Sequence, residues 1–542
     1  VEAMSPPQLL NALLRSPVDL FYNGGIGTYV KASAESHEEV GDRANNAIRV
    51  DGRELRAKVV GEGGNLGLTQ AGRIEAAQQG VLLNTDAIDN SAGVDSSDHE
   101  VNIKILLDQL ISSGHLQAEE RTELLKSMTE DVAQHVLQTN KDQNVLLLTE
   151  RQRLGEWSPS FKRLMRWLEE AAGLDRELEV LPTEVELERR NEAGEQTLTA
   201  PELAVLTAYA KIQLKAALVD SALPDDDWFT TTLEDYFPGQ LTDRFAEQLP
   251  RHPLQREIIS NVVANDVINM GGAAFVFRAM EETFATEEQV VRAFVVVREL
   301  FRLDEFDAAM RALPVSFPRD RWALIYLDMR RLLDRAVRWV VSHTAASTDS
   351  ARGTTVRQDV ETFSAHISSL YGSLAEHLRG ADRTRVETKR EEALAAGMDD
   401  QLAAWVSELF EAFSLLDIAS LAREHDCPAE EVAGIYYAVY AEFQVDSLLD
   451  RITRLSRLDK WQALARGAQR DELYYAIREI TESVLRTTAA GDPGERLEEW
   501  KQASHAKLDR AERLMAEVDE LDADNIASLT VLLRHLRGLV GS

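Results

Sequence analysis

The apolar residues change their spacing near residue 100, and that change constrains the fold more than any other feature of the chain. Beyond it they recur three and four apart, the repeat that puts one stripe on a helix. Leu203, Leu206, Ala210, Leu214 and Leu218 follow a Thr199–Glu202 capping box in this way, and Trp322, Ile325, Met329, Leu332, Ala336 and Val340 do the same. Breaks fall at Asn191–Ala200, Leu223–Asp227 and Phe237–Gly239, where turn-forming residues gather. No fixed period relates these segments, so a solenoid is not supported. The expectation is a large all-α region over 116–542.

The first stretch, 1–115, reads differently. Ser5–Gln8 is a capping box before Leu9, Leu10, Leu13 and Leu14, and Pro17 ends that helix. Val18–Tyr22, Ala57–Val60 and Val81–Leu83 read as strands. Between them, Ser36–Glu39 starts a helix expected to end near Ile48, and Thr69–Gln79 forms another, with Gly80 just past its end. This alternation predicts part of an open parallel α/β sheet.

Charge and composition narrow the function classes. With 59 basic against 92 acidic residues the net charge is -33, which argues against nucleic acid as a partner. A single cysteine, Cys427, excludes an internal disulfide framework and fits a reducing, cytoplasmic setting. Ala293–Val297 is among the longest apolar runs, far short of the roughly 18 residues a membrane helix needs. The chain opens on Val1 without a basic or apolar leader, as a piece of something longer would.

In an open parallel sheet, ligands bind beyond the carboxyl ends of the strands. All three strand exits are rich in Gly, Asn and Ser: Asn23–Thr28, Gly61–Gly67 and Asp89–Ser97. Glycine lets backbone pass close to a ligand, and Asn or Ser offers neutral hydrogen bonds to a ribose or amide. The same composition serves tight turns, but its repetition at three consecutive exits favours a ligand. Gly61 and Gly63 begin a G-x-G, yet Leu66 stands where the third glycine of a dinucleotide fingerprint belongs. The third exit is expected to enter a helix near Ser97, whose free N–H groups would suit a carboxylate or phosphate. Ser97 with Glu100 equally makes a plain capping box, and the two readings are compatible. Asp95, Asp98, His99 and Glu100 lack a second His or Cys at ligand spacing, so no metal is assigned.

Four runs stand out: Asp19-Leu20-Phe21-Tyr22-Asn23-Gly24-Gly25-Ile26-Gly27-Thr28-Tyr29-Val30-Lys31, Gly41-Asp42-Arg43-Ala44-Asn45, Lys58-Val59-Val60-Gly61-Glu62-Gly63-Gly64-Asn65-Leu66-Gly67-Leu68-Thr69 and Asn90-Ser91-Ala92-Gly93-Val94-Asp95-Ser96-Ser97-Asp98-His99-Glu100-Val101-Asn102-Ile103-Lys104. In this order they closely resemble the large bacterial NAD-specific glutamate dehydrogenases. The resemblance implies a partial Rossmann-like coenzyme domain ahead of that family's helical C-terminal domain. It also implies oxidation of L-glutamate to 2-oxoglutarate and ammonia with NAD, as in glutamate catabolism, by a homo-oligomeric parent. Within it, Asn23, Gly24, Gly63, Gly64 and Asn65 fall on the cofactor side, with Asn65 facing the nicotinamide and its ribose. Asn90, Val94 and Ser97 fall on the glutamate side, Ser97 holding the distal carboxylate.

The family's catalytic Lys and Asp, its substrate-binding Lys and its Gly-rich pyrophosphate loop all precede these motifs. Lys31, Lys58 and Lys104 are the only lysines before residue 110, and none stands in the catalytic-lysine context. No catalytic residue is therefore assigned, and the chain alone is expected to be inactive. The alternative is a non-catalytic helical scaffold fronted by a degenerate α/β remnant. Arg330, Arg331, Arg335 and Arg338 form a basic edge on one helix, read as a solvated face or a docking edge for an acidic partner. Leu416–Phe443 has a helix-turn-helix cadence, for which an ordinary hairpin is preferred in so acidic a chain. Gly271-Gly272 is read as a kink within a helix.

Overall fold

Ser5, Ser36, Thr69 and Thr199 begin helices where the sequence places them, but the strands do not build the sheet expected of them. The computed structural model describes residues 3–152, 154–345, 355–489, 491–521 and 525–540. In chain order its first elements are α1 (Pro6–Leu14), β1 (Leu20–Asn23), β2 (Val30–Lys31), α2 (His37–Val40), β3 (Val50–Asp51), β4 (Val59–Glu62), α3 (Gln70–Gln78), α4 (Asp86–Asp89) and α5 (Ser91–Ser112). They continue through α6 (Arg121–Ser127), α7 (Thr129–Arg151), α8 (Leu154–Ala171), α9 (Glu184–Glu192), α10 (Ala200–Val219), α11 (Thr230–Tyr236), α12 (Gly239–Phe245) and α13 (Gln255–Gly271).

The expected Rossmann-like α/β domain is not evident among the described residues, of which 72% are helix and only 3% strand. The strands form two separate parallel pairs, β1 with β4 and β2 with β3. Val81–Leu83, expected as a third strand, contributes a single bridge from Leu82 to Val59. The physical reason lies in burial. Parallel sheets persist where crossover helices cover both faces, whereas Leu20, Tyr22 and Val59 are 59%, 64% and 38% exposed. The helix from Ser36 is likewise cut to one turn, since Gly41 takes φ 77° and stops α2.

Two compact units divide the chain, Val1–Arg278 and Ala279–Ser542. In the first, Val30, Val50, Val60, Leu68 and Ala76 close a small core beneath the paired strands. A second core gathers Phe161, Leu164, Leu168, Leu203, Leu206 and Phe277. Helix α5 packs on α7, and α10 on α13. Gly271 is the last residue of α13 and Gly272 turns the chain at φ 105°, so this pair stops a helix and does not kink one. Among described helices none is long and apolar enough to cross a membrane.

The second unit is helical throughout its described residues. In its helix Arg319–Ala345 the stripe expected from spacing is inward, with Met329, Leu332, Ala336 and Val340 buried. At its centre lie Leu415–His425 and Ala429–Glu442, joined at Asp426, which takes φ 49°. Ala429 and the run Val432–Tyr440 are buried, so the second helix has no face left for a nucleic-acid groove. Trp339 Nε1 donates to Asp417 Oδ1 at 2.8 Å, and burial pushes the Asp417 carboxyl up to about 6. Cys427 is half-buried, and burial with Glu431 nearby raises its thiol, which disfavours the reactive thiolate.

Candidate functional site

Strands β1 and β4 run parallel with Asn23 opposite Glu62, so both chains leave the pair at the same edge. Glu62 is buried, and its carboxylate accepts from Arg73 Nε at 2.7 Å, Arg73 Nη2 at 3.0 Å and the Leu68 N–H at 3.0 Å. Arg73 also pairs with Asp86 at 3.1 Å. Removing one member of such a buried pair strands a charge, at a cost of roughly 3–5 kcal/mol. This anchor ties α3 and the start of α4 to the strand ends.

The two exit loops are joined into one body. Gly63 N–H donates to the Asn23 carbonyl at 2.8 Å, and the Thr28 hydroxyl to the Leu66 carbonyl at 2.7 Å. A β-carbon on Gly64 would stand 2.6 Å from the Gly25 carbonyl oxygen, and one on Gly67 would stand 1.9 Å from Asn23 Nδ2. At Gly64 the neighbour is backbone, so the position demands glycine for space. Leu66 holds φ 56°, with its N–H given to Asp86 Oδ2 at 2.7 Å. The edge so built brings Asn23, Gly24, Gly63, Gly64 and Asn65 together. Asn23 is buried with Nδ2 unpaired, whereas Gly24, Gly25 and Asn65 are exposed. An orphaned amide donor beside open glycine backbone and a free asparagine fits a ligand rich in amide and hydroxyl groups, as NAD is.

Residues 91–97 are helix, not the loop expected. Asp89 ends α4 and accepts the Glu62 N–H at 3.0 Å, which sets Asn90 beside the β4 exit. Helix α5 then starts at Ser91. Ser97 is its seventh residue, so it neither caps a helix nor stands at a helix N-terminus. Glu100 pairs instead with Lys104. Val94 and Ser97 are three apart, share a face of α5 and are both exposed.

The adjoining, inward face of α5 carries a polar network that spacing alone does not reveal. His99 is buried and stacked on Tyr236 at 4.4 Å, with His135 edge-on at 5.5 Å. The Tyr236 hydroxyl donates to Asp98 Oδ2 at 2.9 Å and accepts from Asn102 Nδ2 at 2.8 Å. His252 Nε2 donates to the Asn102 carbonyl at 3.1 Å, since its Nδ1 accepts the Leu254 N–H. Burial lowers the His99 imidazole, with Asp95 opposing. The only sequence signal was the four-residue spacing of Asp95–His99 and Asp98–Asn102; the tyrosine lies 134 residues beyond Asn102.

The three early lysines are committed, Lys31 to Asp51 at 2.6 Å, Lys58 to Asp19 at 2.7 Å and Lys104 to Glu100. An open cavity of about 1090 Å³, lined by Ala32, Ile74, Glu75, Arg166, Arg176 and Leu181 among others, includes none of the cofactor or substrate candidates.

Comparison with known proteins gives this geometry its context. A family model described as glutamate dehydrogenase, C-terminal, matches residues 195–538. A second, described as bacterial NAD-glutamate dehydrogenase, catalytic domain, matches residues 1–150. The chain belongs to the bacterial NAD-specific glutamate dehydrogenase family. Within that family it is 42% identical over 540 residues to the NAD-specific glutamate dehydrogenase of Mycobacterium tuberculosis, covering 98% of this chain and 32% of that protein. It is 40% identical over 542 residues to the Pseudomonas aeruginosa protein of the same name, and 38% over 546 residues to that of Halomonas elongata. Each alignment covers 100% of this chain and 33% of the relative. The chain thus spans about a third of the length of the curated relatives it matches.

Proposed function

We propose that this chain is one portion of an NAD-dependent L-glutamate dehydrogenase and supplies one wall of its active site. The observation that carries this reading is the 42% identity to a named NAD-specific glutamate dehydrogenase across 540 residues. The single edge formed by Asn23, Gly24, Gly63, Gly64 and Asn65, with Asn90 beside it, supports it. When bound, NAD supplies the hydride acceptor. On this reading Asn23 and Asn65 orient the nicotinamide half through neutral hydrogen bonds, and Gly24, Gly63 and Gly64 let the cofactor approach backbone. Asn90 and Val94 line the glutamate pocket, and the Ser97 hydroxyl donates to the distal carboxylate from the flank of α5. The acid–base residues lie outside this chain, in the length of the relatives that it does not span. The helical remainder serves assembly or regulation of a homo-oligomer, and a lone half-buried cysteine suits the cytoplasm.

The test is NADH formation by the longer protein that contains this chain, with the chain itself assayed beside it. The expected result is glutamate-dependent NADH from the longer protein and none from the chain above a heat-killed control. A longer protein that reduces NAD with other amino acids but not with glutamate would overturn the substrate, and one that reduces no NAD would overturn the activity.

A further inference from the structure

The basic edge of the helix Arg319–Ala345 resolves into arginines that are neutralised and one that is not. Arg331 is held by Asp328 at 2.5 Å, and Arg338 by Glu282 and Asp334 at 2.6 Å each. Arg330 is buried. Arg335 has no carboxylate at ion-pair distance among the described residues, and its guanidinium lies 4.7 Å from the centre of the Phe410 ring.

A second helix of the same unit, Lys460–Thr487, brings Arg466 and Arg470 to this place, one turn apart on one face. Neither has a carboxylate at ion-pair distance among the described residues, and Arg470 Nε is buried without a hydrogen-bond partner. Between them, a β-carbon on Gly467 would stand 3.7 Å from Glu282 Oε2, so the helix passes beside the carboxylate that holds Arg338. The guanidiniums are close enough to feel one another. Burial, then Arg335, Arg466 and Arg338, lowers Arg470 to about 10. The acids facing the cluster are Glu282 and Asp334, both engaged by Arg338, and Asp471.

In a chain of net charge -33, carboxylates are abundant, yet among the described residues none of these three guanidiniums has one at ion-pair distance, and the acids that face them are shared with Arg338. A solvated helix face would leave each arginine in water or beside an acid. Here one is laid on an aromatic ring, and another has a donor sealed from water. Guanidinium forks gathered in one place can hold an oxyanion bidentately, with several charge-assisted hydrogen bonds. We propose that Arg335, Arg466 and Arg470 form a binding site for a small multivalent oxyanion, phosphoryl or carboxylate, in the helical unit.

The test is calorimetric titration of the full chain with pyrophosphate and with malonate at constant ionic strength, with melting temperature followed beside it. Saturable binding that raises the melting temperature is expected, because a ligand bound only by the folded state stabilises it. Tighter pyrophosphate assigns a phosphoryl ligand and tighter malonate a carboxylate one. The Arg466→Gln/Arg470→Gln pair should weaken binding at least tenfold. Arg470→Gln alone should leave the unliganded chain no less heat-stable, since it relieves like-charge repulsion, which separates lost binding from lost folding. Arg331→Gln, on the same helix but committed to Asp328, should bind as the parent does. The proposal is overturned if neither anion binds saturably, if the double variant binds unchanged, or if Arg331→Gln loses as much as the double variant.

Discussion

The strand-end loops and the first turns of α5 are held by opposite means. At the β1 and β4 exits the backbone itself is the structure: Gly64 rides on the Gly25 carbonyl, Gly67 on Asn23 Nδ2, and a buried Glu62–Arg73 pair locks the base. At α5 the exposed residues Val94 and Ser97 sit on regular helix, positioned from behind by side chains that reach Tyr236. The difference teaches where each region can fail. Where the loops touch backbone to backbone at Gly64 there is no room for an added atom, whereas the helix tolerates surface change but depends on a partner far away in sequence.

The largest effect should come from Gly64→Ala. Its β-carbon meets backbone, which cannot swing aside as a side chain can. In the longer protein, misplacement of the loop pair should lower kcat/KM for glutamate by about a hundredfold or more, with about 1–3 kcal/mol lost from overpacking. Wild-type kinetics would show that the loops separate freely and that the close approach serves nothing. Next is Asn65→Ala, which removes an exposed amide and touches no packing. It should cost about tenfold to a hundredfold in NAD-dependent turnover at unchanged melting temperature. Unchanged turnover and NAD affinity would assign Asn65 to turn geometry alone.

The helix side answers to Tyr236→Phe. Losing the hydroxyl leaves Asn102 and Asp98 without their shared partner, at roughly 1–3 kcal/mol of stability. If the network positions α5, KM for glutamate should rise several-fold while KM for NAD stays put; a purely structural role would move neither. The smallest effect is a pH slope. Burial depresses the His99 imidazole, so below its ordinary range the unfolded chain binds more protons than the folded one. His99 therefore contributes stability that is present above about pH 6.5 and falls away as pH drops. His99→Phe, which keeps a ring against Tyr236, should flatten that slope between pH 7 and 5. An identical slope would place the titration elsewhere.

What the sequence revealed follows the same division. The glycine loops were legible because their chemistry is local: Asn23–Thr28 and Gly61–Gly67 announce close backbone approach in their own composition. The sheet was not. Nothing in Val81–Leu83 tells how many of its residues will find a partner, and it found one bridge. The stretch Asn90–Ser97 misled for a related reason. Asn, Ser, Gly and Asp are weak helix formers that compete for backbone hydrogen bonds, yet α5 is carried by Leu106, Leu107 and Leu110 in the core and by Tyr236 behind it. Long-range packing overrode local preference. In the helical unit, stripes such as Met329–Val340 were readable from spacing, but the meeting of Arg335 with Arg466 and Arg470 depends on two helices more than a hundred residues apart in sequence.

The wall this chain is proposed to supply is tested most directly at Ser97. In the longer protein, Ser97→Ala should be compared with its parent on glutamate and on norvaline, which lacks the distal carboxylate. Loss of one hydrogen bond to a charged group costs roughly 1.5–3 kcal/mol, or about 10- to 150-fold. The glutamate-to-norvaline ratio of kcat/KM should fall by that factor. Since Ser97 is exposed and inside α5, where alanine is a good helix former, the melting temperature should not fall. An unchanged ratio would contradict the assignment of this face of α5 to the glutamate carboxylate.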